Sequence, residues 1–374
     1  MHFIDLKKQQ ARIKDKIDTR IQAVLAHGKY IMGPEINELE QCLAEYVGVK
    51  RAISCSSGTD ALLLVLLALK IGPGDAVLTT PFTFIATAEV VSLIGATPVF
   101  VDIDPKSYNI DPGKLRDVIS EFKTASLNPK AIMGVDLFGL PADYDEINAI
   151  AKENSLYVIE DAAQSFGGEY KGRKAGSLAD VACTSFFPAK PLGCYGDGGM
   201  CFTNDDGLAE IMNSLRIHGK GTDKYDNVRI GVNGRMDTLQ AAITLAKFEI
   251  FPEEVQLRQK VAENYKSLIS CEDVNLIVPE IPDGYLSAWA QYSILAENAD
   301  LRSHLQEKLK QHDIPTAIYY PKPLHLQSAF ANLNYKPGDF PVSEDCANRI
   351  FSLPMHPYLT PEEQQQIIEG LAKN

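Results

Sequence analysis

Short β-rich runs that alternate with helical stretches constrain this chain more than any other feature. The runs lie at residues 52–55, 76–80, 98–101, 131–137, 156–159, 181–187 and 199–203. Stretches with helical spacing separate several of them, at 60–69, 85–93 and 145–152. Consecutive strands joined through helices run parallel, so the pattern predicts an α/β fold with a mostly parallel sheet. Such sheets gather ligands beyond the carboxyl ends of their strands. Three polar segments fall at or just after predicted strand ends: the turn at 56–59, Asp161, and the stretch 185–190.

Outside this alternation, helices are predicted at 6–27 and from Gly33-Pro34-Glu35 through Tyr46. Past residue 250 the texture changes. A long helical stretch at 248–268 leads to a proline-marked segment at 279–283, then residues 292–295, a helix at 301–311 and a last helix from Pro361. This reads as a smaller α+β lobe with the long helix as connector, which divides the chain into 1–250 and 251–374.

The chain has 374 residues, 45% hydrophobic and 23% charged, ordinary for a globular enzyme. Its net charge of −13 and pI near 5.1 argue against nonspecific nucleic-acid binding, which needs a basic face. A nucleotide held in a local pocket of cations and backbone amides stays compatible with that charge. No run of about 18 apolar residues exists, so no membrane span is expected. The N-terminus lacks the apolar core of a signal peptide. The seven cysteines are scattered without a C-x-x-C pair, so they read as free thiols of a reducing cytoplasm, not as metal ligands.

Lys190 carries the chemistry. It lies in Ser185-Phe186-Phe187-Pro188-Ala189-Lys190-Pro191-Leu192-Gly193, between an apolar run and the glycine-rich Gly196-Asp197-Gly198-Gly199. Upstream, an apolar run ends in Glu160-Asp161, with Gln164 shortly after. A lysine in a tight loop and a carboxylate at a strand tip are what pyridoxal phosphate (PLP) requires. The lysine forms a Schiff base with the aldehyde, and the carboxylate keeps the pyridine nitrogen protonated. Taken singly, a lysine is usually a solvated surface residue, and an aspartate after a strand is usually a helix cap. Together, the lysine, the carboxylate and Gln164 point to PLP.

Further residues join it. Gly58 in Ser56-Ser57-Gly58-Thr59 lets the backbone approach a phosphate at a helix start, and Thr59 adds a hydroxyl; alone, the segment is a capped helix. Ser185 is a second candidate phosphate ligand. Phe84 lies where a ring can stack on a planar cofactor, with Phe82 as the alternative and a core position as the ordinary reading. Asn233-Gly234-Arg235 precedes a helix at 237–247 and is either a turn or a loop that reaches a neighbouring subunit. Tyr320, Lys322 and His325 lie in an aromatic and basic loop, where a lone histidine is more often structural.

In order along the chain, Ser-Ser-Gly-Thr-Asp-Ala-Leu from Ser56, Pro-Phe-Thr-Phe-Ile-Ala-Thr from Pro81, Glu-Asp-Ala-Ala-Gln-Ser-Phe-Gly from Glu160, the Lys190 segment and Gly231-x-Asn233-x-Arg235-Met236 resemble the DegT-type nucleotide-sugar aminotransferases. The resemblance extends to Leu353-Pro354-Met355-His356. It implies fold type I of the PLP enzymes: a large domain with a mostly parallel seven-stranded sheet and a smaller α+β C-terminal domain. It implies Lys190 as Schiff-base lysine and proton shuttle, Asp161 on the pyridine nitrogen and Gln164 at the ring hydroxyl. Gly58, Thr59 and Ser185 would hold the phosphate, and Phe84 would stack on the ring. Asn233 would reach the phosphate from the partner of a homodimer with shared active sites, and Arg235 would lie near the substrate.

Glutamate would donate the amine, leaving 2-oxoglutarate, and a keto nucleotide sugar would accept it. The Lys190 segment is most similar to the branch acting on UDP-2-acetamido-2-deoxy-3-oxo-glucuronate in surface-polysaccharide (O-antigen) biosynthesis. A 4-keto-6-deoxy or dTDP-3-keto sugar is the alternative substrate. A uronate carboxylate would want a cation, for which Arg235, Lys322 and His325 are candidates. A silent PLP-fold regulator is the alternative from another class, and intact Lys190, Asp161 and Gln164 weigh against it.

Overall fold

The computed structural model describes residues 1–121, 127–223, 225–271 and 275–372. In chain order the strands are β1 (Arg51–Cys55), β2 (Asp75–Thr79), β3 (Thr97–Phe100), β4 (Asn128–Val135), β5 (Tyr157–Asp161), β6 (Glu169–Tyr170), β7 (Arg173–Lys174), β8 (Val181–Ser185), β9 (Gly199–Thr203), β10 (Leu276–Ile277), β11 (Tyr285–Leu286), β12 (Tyr292–Ala296) and β13 (Ile350–Leu353). A seven-stranded sheet runs β1-β9-β8-β5-β4-β2-β3. Every neighbouring pair from β8 to β3 is parallel. β9 runs antiparallel to both β1 and β8, so it is the one reversed strand in a mostly parallel sheet. Two small sheets, β11-β6-β7 and β10-β12-β13, complete the order.

The central strands are apolar without alternation because both faces are covered. Ala131–Val135 of β4 and the first four residues of β8 are buried throughout. On one face lies α3 (Gly58–Ala68), with Leu62, Leu64, Val65 and Leu66 in the core. Such an all-round apolar helix is sandwiched, here by α4 (Ala86–Leu93) and α7 (Asp206–Leu215). Truncating Leu64, which is fully buried, to alanine would cost roughly 2–5 kcal/mol. A second cluster joins Leu39 and Leu43 of α2 (Pro34–Val47) and Leu245 of α8 (Thr238–Phe248) to Phe166, Phe186 and Phe202. α5 (Pro112–Glu121) and α6 (Tyr144–Asn154) pack around Leu115, Ile147 and Ile150. α1 (Leu6–His27) lays Ile13 and Ile17 on Ile243 and Ala246 of α8.

α9 (Phe251–Ser270) contributes Phe251 and Val255 to the cluster with Phe166, and Tyr265 and Ile269 to a separate C-terminal cluster. That second cluster gathers β12, β13, α10 (Ala299–Gln311) and α12 (Pro361–Ala372), with α11 (Pro341–Arg349) leading into β13. The helix expected at 248–268 starts at Phe251. Pro252 sits in its first turn, where a missing N–H costs nothing, and the chain breaks between it and α8. The strand expected to reach 137 stops at Val135, and Leu137–Gly139 form a 3₁₀ turn. α5, α7, α11 and β13 lie where the pattern carried no expectation. All seven cysteines are free. Among the described residues no helix is long and apolar enough to cross a membrane.

Candidate active site

Parallel strands point their carboxyl ends the same way, so segments far apart in sequence meet at one rim of the sheet. The turn after β1, the segment after β2, the end of β5 and the end of β8 supply Gly58, Phe84, Asp161 and Ser185 to that rim. Lys190 lies on the connection from β8 to the reversed β9, which leaves and re-enters the sheet at the same rim through the Ser185–Gly199 pair.

The Lys190 loop is held by its own backbone. Lys190 N donates to Phe187 O (2.9 Å), Cys194 N to Phe186 O (2.7 Å) and Phe186 N to Gly198 O (2.7 Å). A Cβ at Gly193 would lie 2.5 Å from Phe187 O and 2.6 Å from Pro188 O, so the turn closes only with glycine. Burial depresses the Lys190 pKa, and the charge of Asp161 opposes that shift. A depressed pKa makes the neutral amine, the nucleophile and base, more available.

Asp161 is buried as the last residue of β5. Turns follow it and no helix starts there, so the helix-cap alternative is removed. Burial raises its pKa, whereas the Thr87 hydroxyl, the charge of Lys190 and the Ala163 N–H lower it. Thr87 Oγ1 donates to Oδ2 at 2.9 Å and touches Thr83 Oγ1 at 3.1 Å. Thr87 closes the Pro81–Thr87 motif, but the sequence reading gave it no role. Its signal was the i, i+4 spacing from Thr83, which places both hydroxyls on one side of a helical turn.

Gln164 is buried in a turn rather than a helix. Its Oε1 accepts from Phe138 N (2.7 Å) and its Nε2 donates to the Tyr320 hydroxyl (3.2 Å). The structure separates the two candidate rings: Phe82 is fully buried in the core, whereas Phe84 is 53% exposed and lies 6.3 Å from the Tyr320 ring. An aromatic left open beside the Tyr320 ring is a platform for a planar ligand.

A Cβ on Gly58 would lie 2.7 Å from the Ser185 Cβ, so the two proposed phosphate residues are in direct apposition. Ser57 caps α3 by accepting from Asp60 N (3.0 Å), and Thr59 lies in its first turn with the free N–H groups of the helix start. The Asn233–Arg235 loop approaches this turn in the same chain: Ser56 N donates to Gly234 O (3.0 Å), and Gly234 N to Arg216 O (2.9 Å). Asn233 is exposed, and the Arg235 Nε is buried without a partner among the described residues.

The last predicted loop divides. Tyr320 joins the site, and Lys322 is exposed. The His325 side chain is fully buried, with Nε2 on Glu344 Oε1 (3.0 Å) and its ring edge-on to Phe340. His325 therefore packs between Glu344 and Phe340, and Lys322 is the exposed cation of this loop.

A half-buried, deprotonation-prone lysine, a buried carboxylate, an exposed ring and a glycine–serine apposition at a helix start fit a phosphorylated pyridine aldehyde. The match to the DegT/DnrJ/EryC1/StrS aminotransferase family covers residues 11–372. The UDP-2-acetamido-2-deoxy-3-oxo-D-glucuronate aminotransferase of Pseudomonas aeruginosa is 53% identical over 359 residues, 96% of each chain. The crystal structure of a family aminotransferase from Brucella abortus is 51% identical, with TM-score 0.95 over 99% of this chain and 98% of that one. NtdA of Bacillus subtilis with bound cofactor PMP is 30% identical, with TM-score 0.91 over 99% and 84%.

The chain belongs to the DegT/DnrJ/EryC1/StrS aminotransferase family. The enzyme class and fold expected from the sequence are met: it is a PLP-dependent sugar aminotransferase.

Proposed function

We propose that the protein transfers the amino group of glutamate to the 3-keto group of UDP-2-acetamido-2-deoxy-3-oxo-glucuronate, as a cytoplasmic enzyme of surface-polysaccharide biosynthesis. The observation that carries this reading is the pairing of the Lys190–Asp161 site with 53% identity to an enzyme named for that reaction. Bound PLP supplies an aldehyde for the amine and a ring that accepts electrons from the α-carbon. Lys190 Nζ, with its depressed pKa, would take up the proton of the amino-acid α-carbon and give it up again. The Asp161 carboxylate would hold the pyridine N–H, Gln164 would contact the ring hydroxyl, and Phe84 would stack on the ring. Gly58, Thr59 and Ser185 would hold the phosphate.

The same reading makes the enzyme a homodimer in which Asn233 of one protomer completes the phosphate site of its partner. Exposed apolar side chains just ahead of Asn233 support this, with Ile230 94% and Val228 55% exposed. Residues 1–250 form the cofactor domain in this reading and 251–374 the smaller domain. Arg235 is the favoured partner of the sugar carboxylate, because its buried Nε–H lacks an acceptor among the described residues; exposed Lys322 is the second candidate.

A charge-assisted pair contributes about 1.5–3 kcal/mol, a ten- to hundredfold preference. The enzyme is therefore expected to favour the 3-keto uronate over its 6-hydroxymethyl analogue by about that factor in kcat/KM. Arg235→Ala is expected to erase most of the preference. Equal rates on the two sugars, or preference for a 4-keto-6-deoxy sugar, would overturn the substrate reading and leave the aminotransferase standing.

A further inference from the structure

We infer that Asp136 is a positioning residue for the cofactor-facing side of the site: its buried carboxylate grips Ser165 and thereby fixes Gln164. The inference rests on the reading of Gln164 as a cofactor contact.

Asp136 follows β4 and is fully buried. Its backbone N donates to Asp161 O at 3.1 Å, which places it beside the tip of β5. Its Oδ1 accepts from Ala142 N (2.9 Å) and from the Tyr144 hydroxyl (2.9 Å), and its Oδ2 from the Ser165 hydroxyl (2.6 Å). No cation is among these partners. A buried carboxyl without a counter-ion is costly, and the arrangement persists only where its oxygens hold several donors at once. Here the donors belong to three segments: the stretch after the 3₁₀ turn, the start of α6, and the turn that carries Gln164.

A second rung lies two residues on. Phe138 N donates to Gln164 Oε1, and Phe138 O accepts from Gln291 N (3.4 Å). Phe138 has φ of +60°, a region a bulky residue enters only when its surroundings hold it there. Residues 136–138 thus grip residues 164–165 by two bonds, one from each end. The outcome is a single orientation of the Gln164 amide, with Nε2 turned to the Tyr320 hydroxyl on the open side of the site.

Asp136→Asn tests the grip. Asparagine keeps an acceptor for Ala142 and Tyr144 but presents an N–H₂ to the Ser165 hydroxyl. We measure PLP affinity by absorbance titration of the apoprotein, together with the rate of the glutamate half-reaction. The variants are Asp136→Asn, Ser165→Ala, Gln164→Ala and the Asp136→Asn/Gln164→Ala double. Coupled neighbours are non-additive, so Asp136→Asn is expected to weaken PLP about tenfold alone and by less than about twofold on top of Gln164→Ala. Ser165→Ala is expected to move both readouts the same way by a smaller factor.

Losses that multiply in the double variant would reduce Asp136 to an independent structural role and overturn the proposal, as would wild-type affinity in Asp136→Asn. If Asp136→Asn does not fold, the Ser165→Ala/Gln164→Ala cycle decides by the same criterion. Wild-type affinity in Gln164→Ala would instead remove the Gln164 reading itself, and the proposal with it.

Discussion

Asp161 shows how one residue's environment sets its use. Burial pushes its pKa up while Thr87 Oγ1, Lys190 and the Ala163 N–H pull it down. A pyridinium placed on it would supply the remaining charge. Asp161→Asn keeps an acceptor for Thr87 and the same shape but removes the anion. The glutamate half-reaction is expected to slow by about a hundredfold or more, with the melting temperature little changed. Lys190 also loses the charge that holds its proton, so its pKa is expected to fall further. A half-reaction at the wild-type rate would return Asp161 to a purely structural part. At this scale Lys190, Asp161 and Gln164 were legible because their residue types and strand-end positions are unusual together. The contacts of Thr87, Asp136 and Phe138 were not, since each bonds a partner that only the fold brings near.

Strand β8 and the start of α3 work as one element pair. Gly58 has room for a hydrogen and nothing more, because the Ser185 Cβ would be 2.7 Å and the Ser185 Cα 3.2 Å from a new methyl. Ser185 is the end of a strand bonded to β9 and cannot retreat. Gly58→Ala is therefore expected to cost about 1–3 kcal/mol of stability by overpacking and to weaken PLP by about tenfold or more as the turn is pushed outward. Spectral titration with PLP and a melting curve check both, and unchanged affinity would remove Gly58 from the phosphate site. The strands themselves were legible as apolar runs, accurate to a residue or two at most ends. The reversal of β9 was not, because direction is set by which strands the run pairs with.

Across the whole molecule, the C-terminal segment returns to the first helix. His356 is buried near Lys8 and Arg258, and burial, with those two cations behind it, pushes its pKa down to about 4. The unfolded chain takes the proton near pH 6.5, whereas the folded protein refuses it until about pH 4. Stability is therefore full above the unfolded value and declines as pH falls through this window, by up to about 3 kcal/mol from this group. His356→Gln is expected to flatten that part of the profile, read by urea denaturation at pH 7.5 and 4.5. Equal losses in both proteins would assign the acid sensitivity to other groups.

The sequence by itself determined the α/β class, the parallel alternation and the PLP aminotransferase chemistry, and it singled out Lys190 and Asp161 as the lysine and carboxylate proposed for it. Those depend on local periodicity and on residue types that few other chemistries use together. The tertiary structure alone decided which ring stays exposed, since Phe82 and Phe84 differ only in which side of the segment meets the core. It also decided that His325 packs against Phe340 and Glu344, and that Asp136 and Ser165 meet. Burial and hydrogen bonding between residues distant in sequence are properties of the packed chain, and no local pattern carries them.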